Sequence, residues 1–323
     1  MKVGSFPILF ITSTRIGDAV LSSGLIRKLA DEMPDARFTI AAGPLAAPLF
    51  ENTPRLDALI VMEKRRHGGH WFDLWRKTRK CSWGLVVDLR GSLLSGLLKR
   101  RKRAVRYAGA GTEHKVHEAG RLLGLDLEPP PPFLYIDDQR RRRAVELTAG
   151  AGPILAMGSA SNWIGKVWPI ERFANAANRL LRPDGPMAGG RLMMLGGPDD
   201  VRAVDELRRV VPKDRLIDLV GQVDVLTAAA CLARAGLFIG NDSGLMHLAA
   251  AAGIPTLGLF GPSDERLYGP WGDYARSLRG PRTFEQFKAL DPDLSQTVRH
   301  MSDLSVDSVV EVATALLHDY HHD

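Results

Sequence analysis

The chain has 323 residues, 45% of them hydrophobic and 25% charged, with a formal net charge of +6 at pH 7. That balance belongs to a globular chain long enough for two cores, and it excludes disordered, collagenous and membrane-spanning classes. Cys81 and Cys231 stand alone without CxxC spacing, which excludes a disulfide framework and a cysteine zinc site.

The charge is unevenly spread: basic residues crowd the first 150 positions and the remainder is mildly acidic. A basic half joined to an acidic one points to an anionic surface or substrate for one domain. The strongest basic run, Lys99-Arg-Arg-Lys-Arg-Ala-Val-Arg106, has no RNA-binding fingerprint or interleaved aromatics, so nucleic acid is not the expected partner. Met1-Lys-Val-Gly-Ser leads directly into the strand-like run Phe6 to Thr12. That run is too short for a signal-peptide core, and no apolar stretch reaches transmembrane length. A cytoplasmic protein is expected.

Phe6 to Thr12 reads as a strand, and Asp18 to Glu32 as a helix with Val20, Leu21, Leu25 and Leu29 on its apolar face. Strands follow at Arg37 to Ala42 and Asp57 to Met62. His70 to Lys80 reads as an amphipathic helix, with Trp71 and Trp75 as its core, and Trp83 to Leu89 as a buried strand. Ser92 to Lys99 and Ala104 to Ala108 continue the alternation, which predicts a mainly parallel sheet with helices on both faces. Pro129 to Pro132 cannot continue a helix or a central strand, so they form an extended connector. Arg140 to Arg143 fall in a helix. After Gly150-Ala-Gly-Pro153 the alternation restarts: strand Ile154 to Gly158, helix Ile170 to Leu181, strand Arg191 to Leu195, helix Val201 to Val210. Strand Leu216 to Val220 and helix Val225 to Ala235 come next. A terminal helix spans Val306 to Leu317, and the tail His318-Asp-Tyr-His-His-Asp323 is expected to fray.

The most informative stretch begins at Leu237. A short apolar run meets the polar turn Asn241-Asp242-Ser243-Gly244, an alanine-rich helix follows, and Gly253 stops it. A second apolar run, Pro255 to Phe260, ends at Gly261-Pro262. This is one βαβ unit, with Asp242 or Ser243 as N-cap, Gly244 open to close approach, and His247 overhanging the free amides of the first turn. In isolation the same residues also read as a capped helix with a buried histidine.

The run Asp242-Ser-Gly-Leu-Met-His247, with Phe260-Gly-Pro-Ser-Asp264 after it, resembles the signature of the family 9 glycosyltransferases, the bacterial lipopolysaccharide heptosyltransferases. The resemblance runs from Ile8 to about Trp271. It implies an α/β, GT-B fold: two Rossmann-like domains facing each other across a cleft. The acceptor-binding domain would span 1–137 and the donor domain 138–305, with 306–323 a helix returning to the first. It implies that the Asp242, Ser243, Gly244 and His247 turn holds the diphosphate of an ADP-heptose donor.

Further matches follow the resemblance. Gly17-Asp18 leaves the first strand at the carboxyl edge of its sheet, where α/β folds bind ligands, and the resemblance implies that Gly17 contacts the donor. Read alone, Asp18 is equally a helix cap; in the family, the aspartate here is the catalytic base. Lys166, two residues before Trp168-Pro169, matches the lysine that contacts the donor phosphate; upstream, where the family often has two hydroxyl residues, stand Ser161 and Asn162, a partial departure. A fixed cation there would stabilise departing ADP. Asp200, or Asp199 beside it after Gly196-Gly-Pro, stands where the family has an acidic residue, usually Glu, on the donor ribose. Arg100, Arg101, Arg103 and Arg106 would face an anionic, phosphorylated lipid acceptor at the inner face of the cytoplasmic membrane. No Asp-x-Asp or acid–histidine cluster suggests a metal, and no cofactor is implied.

The expected activity is therefore an inverting, metal-independent transfer of heptose from ADP-heptose to the inner core of lipopolysaccharide. Two other readings stand beside it: another nucleotide sugar used for a different surface glycan, and a non-catalytic nucleotide- or nucleic-acid-binding protein. A dehydrogenase is excluded, because the first strand–helix turn lacks Gly-x-Gly-x-x-Gly.

Overall fold

The computed structural model describes residues 5–106, 111–161, 163–201, 204–292 and 298–322. It divides into two compact units, Met1–Asp137 and Asp138–Asp323, each built on its own parallel sheet.

The first unit runs β1 (Phe6–Ile11), α1 (Ile16–Leu21), α2 (Gly24–Glu32), β2 (Ala36–Ala42), β3 (Leu56–Val61), α3 (Gly69–Thr78), β4 (Trp83–Asp88), α4 (Leu94–Leu97), β5 (Arg100–Val105) and α5 (Lys115–Arg121). The strand order is β3-β2-β1-β4-β5, parallel throughout. β4 is buried along its whole length and β1 over its last four residues, as central strands covered on both faces must be. The order reverses between β1 and β4, so the loops leaving those two strands flank the switch point where such sheets take ligands.

One helix over 18–32 was expected, and the chain makes two. Ser22 and Ser23 donate their hydroxyls back to the carbonyls of Ala19 (3.0 Å) and Val20 (2.6 Å), which competes with helix continuation. Gly24 lies so close to the Pro130 and Pro131 carbonyls that a Cβ there would sit 2.4 and 2.3 Å from them. The Ser23 hydroxyl also accepts the Phe133 amide at 2.9 Å. The proline connector docks on the break. A second difference is the strand expected over 104–108, which begins instead at Arg100; positions 107 and 108 lie outside the described residues. β5 is an edge strand with only Ala104 buried, so pairing with β4 sets its start rather than an apolar pattern. Trp71 and Trp75 pack half-buried against the core around Leu74 and Trp83, with Arg90 and Arg79 over their rings.

The second unit contains α6 (Asp138–Leu147), β6 (Ile154–Gly158), α7 (Ile170–Leu181), β7 (Arg191–Met194), β8 (Leu216–Asp218), α8 (Val225–Leu232), β9 (Leu237–Asn241), α9 (Gly244–Ala251), β10 (Thr256–Phe260), α10 (Glu265–Tyr268), β11 (Ala275–Arg279), α11 (Phe284–Leu290) and α12 (Val306–His322). Its six parallel strands are ordered β11-β10-β9-β6-β7-β8. The helix expected to return to the first domain, α12, has its buried face in the second unit: Val309, Ala313, Leu316 and Leu317 share one core with Phe173, Leu180 and Ile239. The tail does not fray within the described residues, because Tyr320 meets Tyr274 edge-on at 4.8 Å and extends the helix to His322. The helix expected over 201–210 is reduced, among the described residues, to a short 3-10 turn at Leu207–Arg209. There the Arg208 guanidinium donates to the Val201 carbonyl (2.6 Å) and the Asp218 carboxylate (2.7 Å), tying the segment to β8 instead. No helix among the described residues is long and apolar enough to cross a membrane.

Candidate active site

The second sheet reverses its strand order between β6 and β9, and the loops leaving those strands carry most of the expected donor residues. β9 ends in Asn241, whose side chain is fully buried. Its Oδ1 accepts the Trp168 amide at 3.0 Å, and its Nδ2 donates to the Ser159 carbonyl at 2.6 Å. Both ends of the Ser159–Trp168 loop are thereby clipped to β9. Trp168 is itself buried, with Nε1 donating to the Leu304 carbonyl at 3.0 Å. Held this way, Lys166 donates from Nζ to the Asp242 carboxylate at 2.5 Å, and Ser161 Oγ lies 3.4 Å from the Asp242 carbonyl. The Asp242 amide is fixed to the Leu259 carbonyl of β10 at 3.1 Å. Asp242 is only 8% exposed, so its carboxylate needs the cation beside it. Gly165 is required next to Lys166: a Cβ there would come within 2.4 Å of the Trp163 ring. Asn162 lies outside the described residues.

Ser243 occupies the N-cap place of α9. The expected cap bond from Asp242 or Ser243 is not made. The Asp242 carboxylate belongs to Lys166, and Ser243 Oγ is buried without a hydrogen-bond partner. The first-turn amides of α9, beginning at Gly244, therefore receive no side-chain acceptor and keep their capacity for an anion. His247 is buried on the same turn, and Gly253, at φ +77°, closes the helix as expected.

Asp200 leaves β7, the strand beside β6. Its carboxylate accepts the Gly197 amide at 2.8 Å and braces the glycine turn, while Asp199 is exposed. Ser263, beyond the end of β10, lies in the Phe260–Asp264 part of the signature, where the sequence gives it no role of its own. It is buried, its Oγ has no partner, and its carbonyl accepts from Arg279 at 2.5 Å. Asn241 reads in the sequence as one residue of the polar turn; its place immediately before Asp242 is the available signal. Asp264 accepts the Arg266 amide at 3.0 Å and its guanidinium at 2.8 and 2.9 Å. That guanidinium holds the Asp264 carboxyl below the usual range.

In the first unit Asp18 lies within the first turn of α1, and the N-cap place belongs to Arg15, which makes no side-chain cap bond. The cap reading of Asp18 therefore fails. Ser13 Oγ donates to Asp18 Oδ2 at 3.1 Å and accepts the Arg15 amide at 3.2 Å, holding a half-buried carboxylate beside Gly17 at the β1–β4 switch point. The four arginines of the basic run differ in their commitments. Arg100 donates to the Leu98 carbonyl at 2.7 Å, Arg103 to Ser95 Oγ at 3.0 Å, and Arg106 pairs with the buried Glu118. Arg101 is exposed and has no acidic partner among the described residues.

Two sheets thus each present a polar loop cluster at a switch point, one carrying a carboxylate and the other a lysine beside uncapped helix amides. Residues 108–293 match the family model of glycosyltransferase family 9 (heptosyltransferase). The chain belongs to glycosyltransferase family 9. It is 24% identical over 291 residues to lipopolysaccharide heptosyltransferase 3 of Escherichia coli K12, spanning 79% of this chain and 82% of the relative. Among solved structures it is similar to the family 9 glycosyltransferase from Veillonella parvula DSM 2008, with TM-score 0.80, 22% identity and 99% coverage of both chains. It is also similar to the ADP-heptose lipopolysaccharide heptosyltransferase II of E. coli, with TM-score 0.76, 21% identity, and coverage of 98% of this chain and 100% of the other. The expected GT-B fold is the fold of these structures. In this family 9 glycosyltransferase Lys166 places a cation at the uncapped start of α9, and Asp18 places a half-buried carboxylate at the edge of the other sheet.

Proposed function

We propose that this glycosyltransferase moves heptose from ADP-heptose onto the inner core of lipopolysaccharide, with inversion at the anomeric carbon and without a metal ion. The observation that carries this reading is the Lys166–Asp242 contact at the uncapped start of α9. A cation and free helix amides side by side suit a diphosphate, with Ser161, Ser243 and His247 around it. Lys166 would stabilise the charge growing on departing ADP, the work a divalent ion does elsewhere. Asp18 would take the proton from the acceptor hydroxyl as that oxygen attacks C1 of the sugar. The C1–O bond to the phosphate breaks as the new one forms, and a single displacement inverts the centre. Asp199 or Asp200 would hold the donor ribose. The acceptor is a phosphorylated lipid, and the enzyme works peripherally at the cytoplasmic membrane face. The relatives' names support the sugar, the nucleotide and the acceptor.

The test is turnover with ADP-, UDP- and GDP-sugars and a lipid-linked inner-core acceptor in the presence of EDTA. Transfer from ADP-heptose alone, with the anomeric configuration of the product inverted by NMR, is the expected result. Preference for another nucleotide sugar would move the assignment to a different surface glycan, and a strict need for Mg²⁺ or Mn²⁺ would remove the lysine mechanism.

A further inference from the structure

The crossover from β4 to β5 carries four leucines in six residues, and the fold accounts for two of them. Leu94 and Leu98 are buried in the core of the first unit, whereas Leu93 and Leu97 are 89% and 74% exposed. Four residues apart on one helical turn, the outward pair lies on one side of α4. A crossover that had only to cover the sheet would need Leu94 and Leu98 and would place polar residues outside.

The strand that follows supplies charge on the same side. Arg103 reaches back from β5 to Ser95 of α4, so the strand face shared by Arg103, Arg101 and Lys99 is the one α4 lies against. Lys99 and Arg101 are exposed there with no acidic partner among the described residues. Edge-strand lysines alone are an ordinary defence against strand-to-strand aggregation. Two bare leucines beside them work against that defence and call for another explanation. Apolar side chains flanked by unpaired cations complement an anionic lipid interface, where leucines enter the acyl boundary and cations meet head groups.

We infer that α4 and the start of β5 dock the first unit on an anionic bilayer, with Leu93 and Leu97 inserted and Lys99 and Arg101 on the head groups. The inference rests on the lipid-linked acceptor of the proposed function and adds the surface by which the enzyme meets the membrane. Arg100 and Arg106, engaged by their own chain, take no part, and Lys102 projects from the opposite strand face.

The experiment is co-sedimentation of the full chain with vesicles of phosphatidylcholine alone or mixed with phosphatidylglycerol. Binding to the mixed vesicles only, weakened by salt, is expected. Leu93→Ser with Leu97→Ser should lower partitioning on the order of ten-fold or more. Lys99→Gln and Arg101→Gln should each lower it about five-fold. Lys102→Gln should leave it nearly unchanged, and thermal unfolding should not move because every altered side chain is exposed. Equal loss with Lys102→Gln, or no loss with the leucine pair, overturns the docking surface in favour of diffuse attraction. Lipid-independent dimerisation that the leucine pair abolishes overturns it in favour of a second copy of this chain. Turnover of a delipidated, water-dispersed acceptor keeps the two ideas apart: the leucine variant should retain it, whereas wild-type binding to vesicles without any transfer defeats the activity alone.

Discussion

Lys166 Nζ lies 2.5 Å from the carboxylate of Asp242, a residue 76 positions away and 8% exposed. The pair joins the loop after β6 to the turn after β9, so it is a structural tie as well as a cationic site. Lys166→Met separates the two roles when combined with Asp242→Asn. The single change strands a buried carboxylate and should cost about 1–3 kcal/mol, less than a fully buried pair because Lys166 is 24% exposed. It should also lower kcat roughly 10²–10³-fold. The double variant should recover stability without recovering turnover. Recovery of both would make the lysine a tie and nothing more.

Asn241 makes two buried hydrogen bonds that no hydrophobic residue can replace. Asn241→Ala would leave the Trp168 amide and the Ser159 carbonyl unpaired, at about 1–3 kcal/mol each, so a loss of about 2–6 kcal/mol is expected. With the loop released, ADP affinity should weaken as well. Calorimetric titration and thermal melts on one preparation measure both. A variant that melts lower yet binds ADP with unchanged affinity would show that the clip does not position the donor loop.

These two contacts show where the sequence was readable and where it was not. The Asp242 turn could be read because strand, polar turn, small-residue helix and Gly253 lie within one continuous stretch. Asp18 could be placed at a sheet edge by the same local grammar. What escaped was non-local. The α1–α2 break depends on Pro130 and Pro131 arriving at Gly24, more than a hundred residues away. Asn241 looks like a turn residue until Ser159 and Trp168 are brought to it. Arg106 looks like one member of a charge run until it meets the buried Glu118. β11 escaped for a different reason: Ala-Arg-Ser-Leu-Arg has no apolar alternation, since an edge strand can leave side chains in water.

Acid should weaken the second unit through Asp264. The Arg266 guanidinium depresses its pKa in the folded state, so its contribution is present above the unfolded carboxyl value of about 3.9 and is lost as pH falls through the lower folded value. Asp264→Asn keeps an N-cap oxygen for the Arg266 amide, so at neutral pH the cost should be about 1 kcal/mol or less. Melting temperatures followed below about pH 4 should fall less steeply in the variant than in the wild type. Superimposable acid profiles would assign the acid loss to other carboxylates.

The remaining prediction concerns Asp18. Ser13 Oγ donates to its carboxylate, and Asp18→Asn preserves an oxygen for that hydroxyl, so α1 should form with a loss of about 1 kcal/mol or less. The change removes the proposed proton acceptor, and general-base catalysis typically contributes about 10²–10⁴-fold, so kcat should fall within that range. ADP-sugar affinity should stay close to wild type, because the donor contacts proposed above lie mainly in the other unit, on Lys166 and the Asp242 turn. Ser13→Ala offers a control: it leaves the carboxylate in place but unheld, and a smaller fall in kcat with normal donor affinity is expected. Near-full turnover by Asp18→Asn would return Asp18 to a purely structural place in the first turn of α1 and send the search for the base to other groups at the β1–β4 edge.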